Sequence, residues 1–209
     1  DKIIEIAAIK LMPDGEVKTF HQLINPLITI PEHTIKFHGL TNEDLKDQPG
    51  LKLPLKQFLQ FIDNSPILAH NGMFDASFMI VGMHENGLKP GLSDVFDSCK
   101  MARLIFKSKR AKEELAPENN KLSGLAKFYK IEFTHHQAMD DAIVCLKVYA
   151  ALLVEHKKNH QNTPIKDLAF LFKLNSFKQA GDYILPNKIS AIRPWVQSQT
   201  IFEIKYKGG

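Results

Sequence analysis

Two short clusters of polar residues carry the groups in this sequence that could do chemistry. The first is AHNGMFD, residues 69–75, and the second is HQAMDDA, residues 136–142. Both place an aspartate at the predicted start of a helix, and in the second cluster His136 precedes Asp141 by five residues. Carboxylates bind hard divalent cations, and an imidazole near its ordinary pKa accepts a proton from water at neutral pH. Together these groups fit the metal-assisted hydrolysis of a phosphodiester.

The hydrophobic pattern predicts the elements that must position these two clusters. Strands are expected near residues 3–9, 17–24, 66–69 and 93–96, and helices near residues 55–62, 74–81, 98–104, 122–129 and 142–156. Strands that alternate with helices after an opening hairpin predict an α/β fold with a sheet of mixed direction. The first cluster follows a strand, at the place where open α/β sheets bind ligands.

Two connecting segments are predicted to be loops. Residues 25–41 are interrupted by prolines, and residues 107–112 are mostly basic. The basic run is read either as a solvated, mobile loop or as a contact with a nucleic-acid backbone.

Composition places the chain among ordinary soluble globular proteins. It has 209 residues, of which 44% are hydrophobic, and its net charge of +4 permits a phosphate-bearing partner without requiring one. No apolar run is long enough to cross a bilayer, so no membrane association is expected. Cys99 and Cys145 are too few for a disulfide framework, which favours a reducing, cytoplasmic location.

We expect one large domain and a small appendage. Residues 1–156 form the α/β domain, residues 157–164 are a polar linker, and residues 165–209 are a small α+β segment of unknown role. In that last segment a helix is expected at residues 165–177, followed by strand-rich sequence from residue 183.

The chain resembles the DEDDh 3′→5′ exonucleases, the epsilon-type proofreading subunits of bacterial DNA polymerase III among them. HNGMFD (residues 70–75) is similar to the second exonuclease motif of that family, and HQAMDDA is similar to the third. The shorter stretches IIEIAAI, INP, HGLT and DSCKMAR also lie where relatives have similar text, so the resemblance spans about residues 1–155.

The resemblance implies a ribonuclease-H-like mixed sheet flanked by helices, and a role for each matching residue. Asp75 and Asp141 would bind two Mg²⁺ or Mn²⁺ ions, and His136 would be the general base. His38, Asn71 and Phe74 would help line the pocket for the terminal nucleotide.

One part of the family pattern is not found in this sequence. Relatives carry a DxE pair, which completes the metal site, on the strand just before the stretch that matches IIEIAAI, and the present sequence begins after that point. We expect this strand and its two acids upstream of Asp1. Glu5 could substitute as a ligand, although a structural role is favoured. The spacing from His136 favours Asp141 over Asp140, which is interpreted as a solvated residue.

The two clusters, together with what the family resemblance implies, predict a metal-dependent 3′→5′ exonuclease that releases nucleoside monophosphates from single-stranded DNA ends, in proofreading or repair. Its partners would be single-stranded nucleic acid, with DNA preferred, and a polymerase or sliding clamp. Two alternatives stay open. The protein could be an RNA exonuclease of the same family, or a catalytically inactive scaffold that binds nucleic acid or a polymerase.

Overall fold

A computed structural model describes residues 2–89, 93–133, 137–159 and 173–176 of the chain. Its first two strands, β1 (Glu5–Leu11) and β2 (Val17–Leu23), form an antiparallel hairpin in which Glu5 lies opposite Leu23. The turn between them contains Gly15 with φ of 90°, a left-handed conformation that glycine adopts readily. The predicted hairpin is therefore confirmed.

Three helices follow: α1 (Glu32–His38), α2 (Asn42–Leu45) and α3 (Lys52–Ile62). The loop predicted for residues 25–41 is wrong where α1 forms. This helix begins after Pro31 and ends at Gly39, whose φ is 73°. Its seven residues are too few to give a clear helical periodicity in the sequence, so its boundaries depend on these flanking residues.

The next four elements form a compact β-α-β-α unit. They are β3 (Ile67–Ala69), α4 (Gly72–Glu85), β4 (Asp94–Asp97) and α5 (Ser98–Ala111). Strands β3 and β4 are parallel, with Ile67 beside Val95. Helix α5 extends to Ala111, so the loop predicted for residues 107–112 is wrong for most of its length. Met101, Ile105 and Phe106 are buried on one face of α5, and this face stabilises the helix as far as its basic end.

Two more helices and a short strand complete the described fold. They are α6 (Leu122–Phe128), α7 (Ala138–Asn159) and β5 (Lys173–Ser176). Helix α7 continues three residues past 156, into the predicted linker. Strand β5 pairs antiparallel with β4, which corrects the helix expected at residues 165–177, because the open edge of β4 supplies hydrogen bonds that a local pattern does not reveal. His136, and residues 165–209 apart from β5, lie outside the described residues.

The strands are arranged in two sheets that share one helix. One sheet contains β1 and β2, and the other has the order β3-β4-β5. Helix α7 packs against both β1 and β3. Within the described ranges, β1 pairs with β2 alone and β3 with β4 alone, so each presents an unpaired strand edge.

Two principal apolar cores stabilise these layers. One joins β1 to α3 and α4 through Ile6, Leu55 and Ile80, and the other joins α5, α6 and α7 through Phe106, Leu125 and Val148. In the part of the chain that is described, no helix is both long enough and apolar enough to cross a bilayer.

Candidate active site

The first of the two helix N-termini that carry a predicted metal-binding aspartate lies where β3 leads into α4. Asn71 lies between them with φ of 67° and ψ of 44°, a left-handed conformation that asparagine tolerates better than most residues. Its backbone N–H donates a hydrogen bond to Oδ1 of Asp97 at 2.9 Å. The turn places Asp75 in the first turn of α4.

Asp97 holds two helix starts together. The same Oδ1 atom accepts hydrogen bonds from the N–H groups of Cys99, at 2.9 Å, and Lys100, at 3.2 Å. These two bonds cap α5, and the bond from Asn71 ties that cap to the start of α4. Because Asp97 is only 6% exposed, all three bonds are shielded from water.

The second acidic helix start is held by β1. Oε1 of Glu5 accepts a hydrogen bond from the N–H of Ala138 at 3.4 Å, and it lies 2.9 Å from Nε2 of His21 on β2. Ala138 is the first residue of α7, and Asp141 lies in the first turn. Glu5 thus contacts the backbone that carries Asp141, in agreement with a structural role for this residue.

A buried thiol shows that the two helix starts share one region. Cys145 lies one helical turn after Asp141 on α7 and is 7% exposed. Burial is the largest cause that raises the pKa of Cys145, to about 12, and the negative charges of Asp75, Asp97 and Asp141 raise it further. The carboxylates of both sequence clusters therefore act on the same buried atom, although 66 positions separate Asp75 from Asp141.

Hydrogen bonds connect Cys145 to the strand that leads into α4. Its Sγ atom lies 3.6 Å from Oγ of Ser98, and that hydroxyl lies 2.9 Å from Nδ1 of His70. Nε2 of His70 is 2.8 Å from the carbonyl oxygen of Asn120, which can only accept. We infer that His70 is neutral, with its proton on Nε2, because burial lowers the pKa of the imidazole.

The remaining predicted site residues lie in buried surroundings. Phe74 is 4% exposed, and its ring centroid is 5.0 Å from that of Phe78. His38 is also 4% exposed, and its Nδ1 accepts a hydrogen bond from the N–H of Leu40 at 3.1 Å. Asn71, 7% exposed, connects the start of α4 to the start of α5 through Asp97, and Nε2 of His38 lies 3.2 Å from Oγ1 of Thr34 on α1. The roles of these residues toward substrate stay predictions.

The chemical type of the available metal-binding groups suits a hard divalent cation. Asp75 and Asp141 offer carboxylate oxygens, the ligands that Mg²⁺ and Mn²⁺ prefer. Cys99 and Cys145 are unsuitable, because burial raises the pKa of each thiol and keeps it protonated. Among the described residues, no group of three or more His, Cys, Asp or Glu side chains is gathered as a metal site.

Sequence reasoning assigned no role to Asp97. The surrounding stretch DSCKMAR was noted only because relatives have a similar sequence there. An aspartate between a predicted strand and a predicted helix is a typical N-cap, and that local signal could have identified the cap of α5. Its bond to Asn71, 26 residues away, has no local signal.

Comparison with known proteins identifies the family. The model of the exonuclease family RNase_T matches residues 1–149, well over half of the chain. The chain belongs to this exonuclease family. The resemblance inferred from the two motifs is therefore confirmed, and residues 1–149 form an exonuclease domain.

The exonuclease domain is similar to parts of two kinds of bacterial replication protein. It is 33% identical over 156 residues to the DNA polymerase III subunit epsilon of Buchnera aphidicola, covering 71% of this chain and 60% of that protein. It is 30% identical over 154 residues to the PolC-type DNA polymerase III of Caldanaerobacter subterraneus, covering 73% of this chain. The match spans only 10% of that polymerase.

Solved structures confirm the predicted ribonuclease-H-like fold. The nuclease domain of 3′hExo, a DEDDh family member bound to rAMP, superposes with a TM-score of 0.60 at 17% identity, over 74% of this chain and 82% of that one. Exonuclease X in complex with 5′ overhanging duplex DNA superposes with a TM-score of 0.51 at 18% identity, over 81% and 90% of the two chains.

Proposed function

We propose that the protein is a metal-dependent 3′→5′ exonuclease that releases nucleoside monophosphates from single-stranded DNA ends. The observation that carries this proposal is the position of Asp75 and Asp141 in the first turns of α4 and α7, near enough to one another that both negative charges raise the pKa of the buried Cys145 thiol. Membership of the exonuclease family supports the reaction class.

In this proposal Asp75 and Asp141 hold two Mg²⁺ or Mn²⁺ ions. When bound, such ions stabilise the attacking and leaving oxygens of a phosphodiester. Asp75 and Asp141 lie in the first turns of their helices, where the positive end of the helix dipole favours acidic residues. Asn71 and Asp97 fix the position of Asp75, and Glu5 fixes the start of the helix that carries Asp141.

Two further acidic ligands are expected on a strand between β1 and β3. Both strands pack against α7, and within the described residues their facing edges carry no partner. A strand inserted there would join the two sheets into one and bring its side chains to the same helix. This part of the proposal is tested by reading the codons upstream of Asp1: a DxE pair supports it, and an authentic start codon without such a pair favours the inactive scaffold.

We propose His136 as the general base that takes a proton from the attacking water. The proposal comes from its position two residues before Ala138, where α7 begins, and from its match to the family motif. His136→Ala should lower turnover by a factor on the order of 10² to 10⁴ while cation binding is retained. An unchanged rate on a labelled oligonucleotide would exclude this assignment.

The preference for DNA, a proofreading role and a polymerase or sliding-clamp partner are supported by the names of the relatives. The similar PolC-type and epsilon proteins are named as parts of DNA polymerase III. An RNA substrate is the second candidate, since one structural neighbour is bound to rAMP and another recognises a histone mRNA stem-loop. Matched single-stranded DNA and RNA oligomers would separate the two by the ratio of kcat/KM. The cytoplasmic location stays a prediction from the sequence.

The central experiment compares three variants of the complete natural protein. Asp75→Asn and Asp141→Asn should each lower the cleavage of a 5′-labelled single-stranded oligonucleotide by about 10³-fold in Mg²⁺. Both should also weaken Mn²⁺ binding measured by calorimetry, which does not depend on turnover. Asp140→Asn is the matched control, because it removes the same charge from the neighbouring residue. If Asp140→Asn has the larger effect, the assignment of Asp141 is wrong.

A further inference from the structure

The solvent-facing side of α5 carries a row of basic residues, Lys100, Arg103 and Lys107, which we call the basic stripe. All three residues are exposed. Their spacing of three and then four residues places them along one face of the helix. The row extends for about 10 Å, because a helix rises about 1.5 Å per residue.

The neighbouring cations on α5 are used inside the protein. Lys109 pairs with Glu155 on α7, and Arg110 donates hydrogen bonds to the carbonyl of Pro117 at 3.1 Å and to Asn120 at 2.9 Å. For the three members of the stripe, the described ranges contain no ion pair with a carboxylate, although the side chain of Arg103 also forms a hydrogen bond with the Cys99 thiol. The basic run noted in the sequence therefore separates into an inner pair that packs, Lys109 and Arg110, and two exposed lysines, Lys107 on α5 and Lys112 just after it.

The stripe begins at the proposed active site. The backbone N–H of Lys100 and that of Asn71 donate to the same oxygen of Asp97, at 3.2 and 2.9 Å. Asn71 precedes the helix that carries Asp75. One end of the stripe is thus joined, through a single carboxylate oxygen, to the turn that positions a proposed metal ligand, and the other end lies two helical turns away.

We propose that the basic stripe binds the phosphates of a single-stranded nucleic acid whose 3′ terminus occupies the site, with the strand running from Lys100 toward Lys107 in the 3′ to 5′ direction. The inference rests on the proposed function and adds the path of the strand. Exposed cations in a row are complementary to a chain of phosphates, and such contacts position a strand without reading its bases.

Binding measurements in the absence of divalent cations test the stripe separately from catalysis. In the complete protein, the triple variant Lys100→Gln/Arg103→Gln/Lys107→Gln should bind a fluorescent single-stranded 12-mer about tenfold more weakly. Its slope of log K against log salt should become shallower by about 2, which corresponds to about 0.7 per lost phosphate contact. The affinity for a dinucleotide should change by less than about twofold, because a dinucleotide does not reach along the stripe.

A charge-matched variant shows whether the effect belongs to this face. Lys52 and Lys56 are exposed on α3, and Lys52→Gln/Lys56→Gln should bind the 12-mer as the parent does, whereas Lys100→Gln/Lys107→Gln, which removes the same charge from the stripe, should bind it more weakly. Equal weakening by both variants would show that net charge alone matters, and would overturn the stripe. The proposal would also be overturned if the triple variant bound the 12-mer with the affinity and the salt slope of the parent. The binding assay contains no metal, so its outcome tests the basic stripe separately from catalysis. Failure of the parent to cleave DNA in Mg²⁺ or Mn²⁺ would instead count against the proposed function.

Site-directed crosslinking tests the direction of the strand. The native cysteines Cys99 and Cys145 are buried, so an azidophenacyl reagent can be directed to Lys100→Cys or Lys107→Cys. Lys100→Cys should crosslink nearest to the 3′ terminus, and Lys107→Cys about two to three nucleotides further from it. The reverse order, or crosslinks spread evenly along the strand, would overturn the proposed path.

Discussion

The two helices that carry Asp75 and Asp141 begin in similar ways but are held with different strength. In each case a carboxylate from a strand accepts a hydrogen bond from the backbone at the helix start. At α4 this is Asp97, which accepts one bond from the N–H of Asn71 at 2.9 Å and two more from the start of α5. At α7 it is Glu5, which accepts a longer bond from the N–H of Ala138 at 3.4 Å and lies 2.9 Å from Nε2 of the half-exposed His21.

The difference indicates which ligand position is set by the fold and which can adjust. The start of α4 is fixed to β4 and α5 through one oxygen, so Asp75 has a defined position before any cation binds. The start of α7 follows the segment that contains His136 and has a weaker attachment to β1. We infer that cation or substrate binding orders the α7 start more than the α4 start.

The largest expected effect comes from removing the stronger attachment. Asp97→Ala should lower the free energy of unfolding by about 3 kcal/mol, because α5 loses its cap and the N–H of Asn71 loses its partner in a buried site. Urea unfolding followed by circular dichroism measures this change. Asp97→Asn, which retains an oxygen at the same place, should lose less than half as much. Equal losses in the two variants would show that charge, rather than the hydrogen bonds, stabilises this junction.

The second expected effect concerns the buried hydrogen bonds that support only the α4 side. Ser98→Ala should cost about 2 kcal/mol of unfolding free energy, because it leaves Nδ1 of His70 without a donor in a buried site. Ser77→Ala is the matched control. That hydroxyl is equally buried, but it bonds to the carbonyl of Phe74 within its own helix, so its loss should cost less. Equal costs in urea unfolding would contradict a linking role for Ser98.

A pH dependence of stability should arise from the same buried group. Burial lowers the pKa of His70 in the folded protein, while the unfolded chain takes up a proton near pH 6.5. Below about pH 6.5 the unfolded state therefore binds the additional proton, and stability falls as the pH falls. The contribution is fully present above that pH, and its slope cannot exceed about 1.4 kcal/mol per pH unit for one proton.

Unfolding free energies measured between pH 8 and pH 5 test this dependence. His70→Gln should have a shallower slope than the parent, whereas the exposed control His33→Gln should retain the parental slope. An identical slope in His70→Gln would show that His70 does not contribute.

Local patterns predicted the helices that carry the site, and contacts between distant residues explain what they missed. The strand-turn-helix pattern around Asn71 placed Asp75 correctly at a helix start, because hydrophobic periodicity and turn chemistry are local. The bond from Glu5 to Ala138 joins positions 133 residues apart, and no periodicity encodes it. Strand β5 was missed for the same reason, since its four residues form a strand by pairing with β4.

The smallest expected effect comes from the weaker attachment. Glu5→Gln should lower the unfolding free energy by about 0.5 kcal/mol, because its partner His21 is half exposed and the amide oxygen can still accept the bond from Ala138. Hydrogen exchange at residues 138–142 should nevertheless quicken, while exchange at the start of α4 stays as in the parent. Glu16→Gln, which removes an exposed ion pair with Lys18, is the matched control. A loss of activity of about 10³-fold in Glu5→Gln with unchanged stability would instead identify Glu5 as a metal ligand, and the two helix starts would then differ in chemistry as well as in strength.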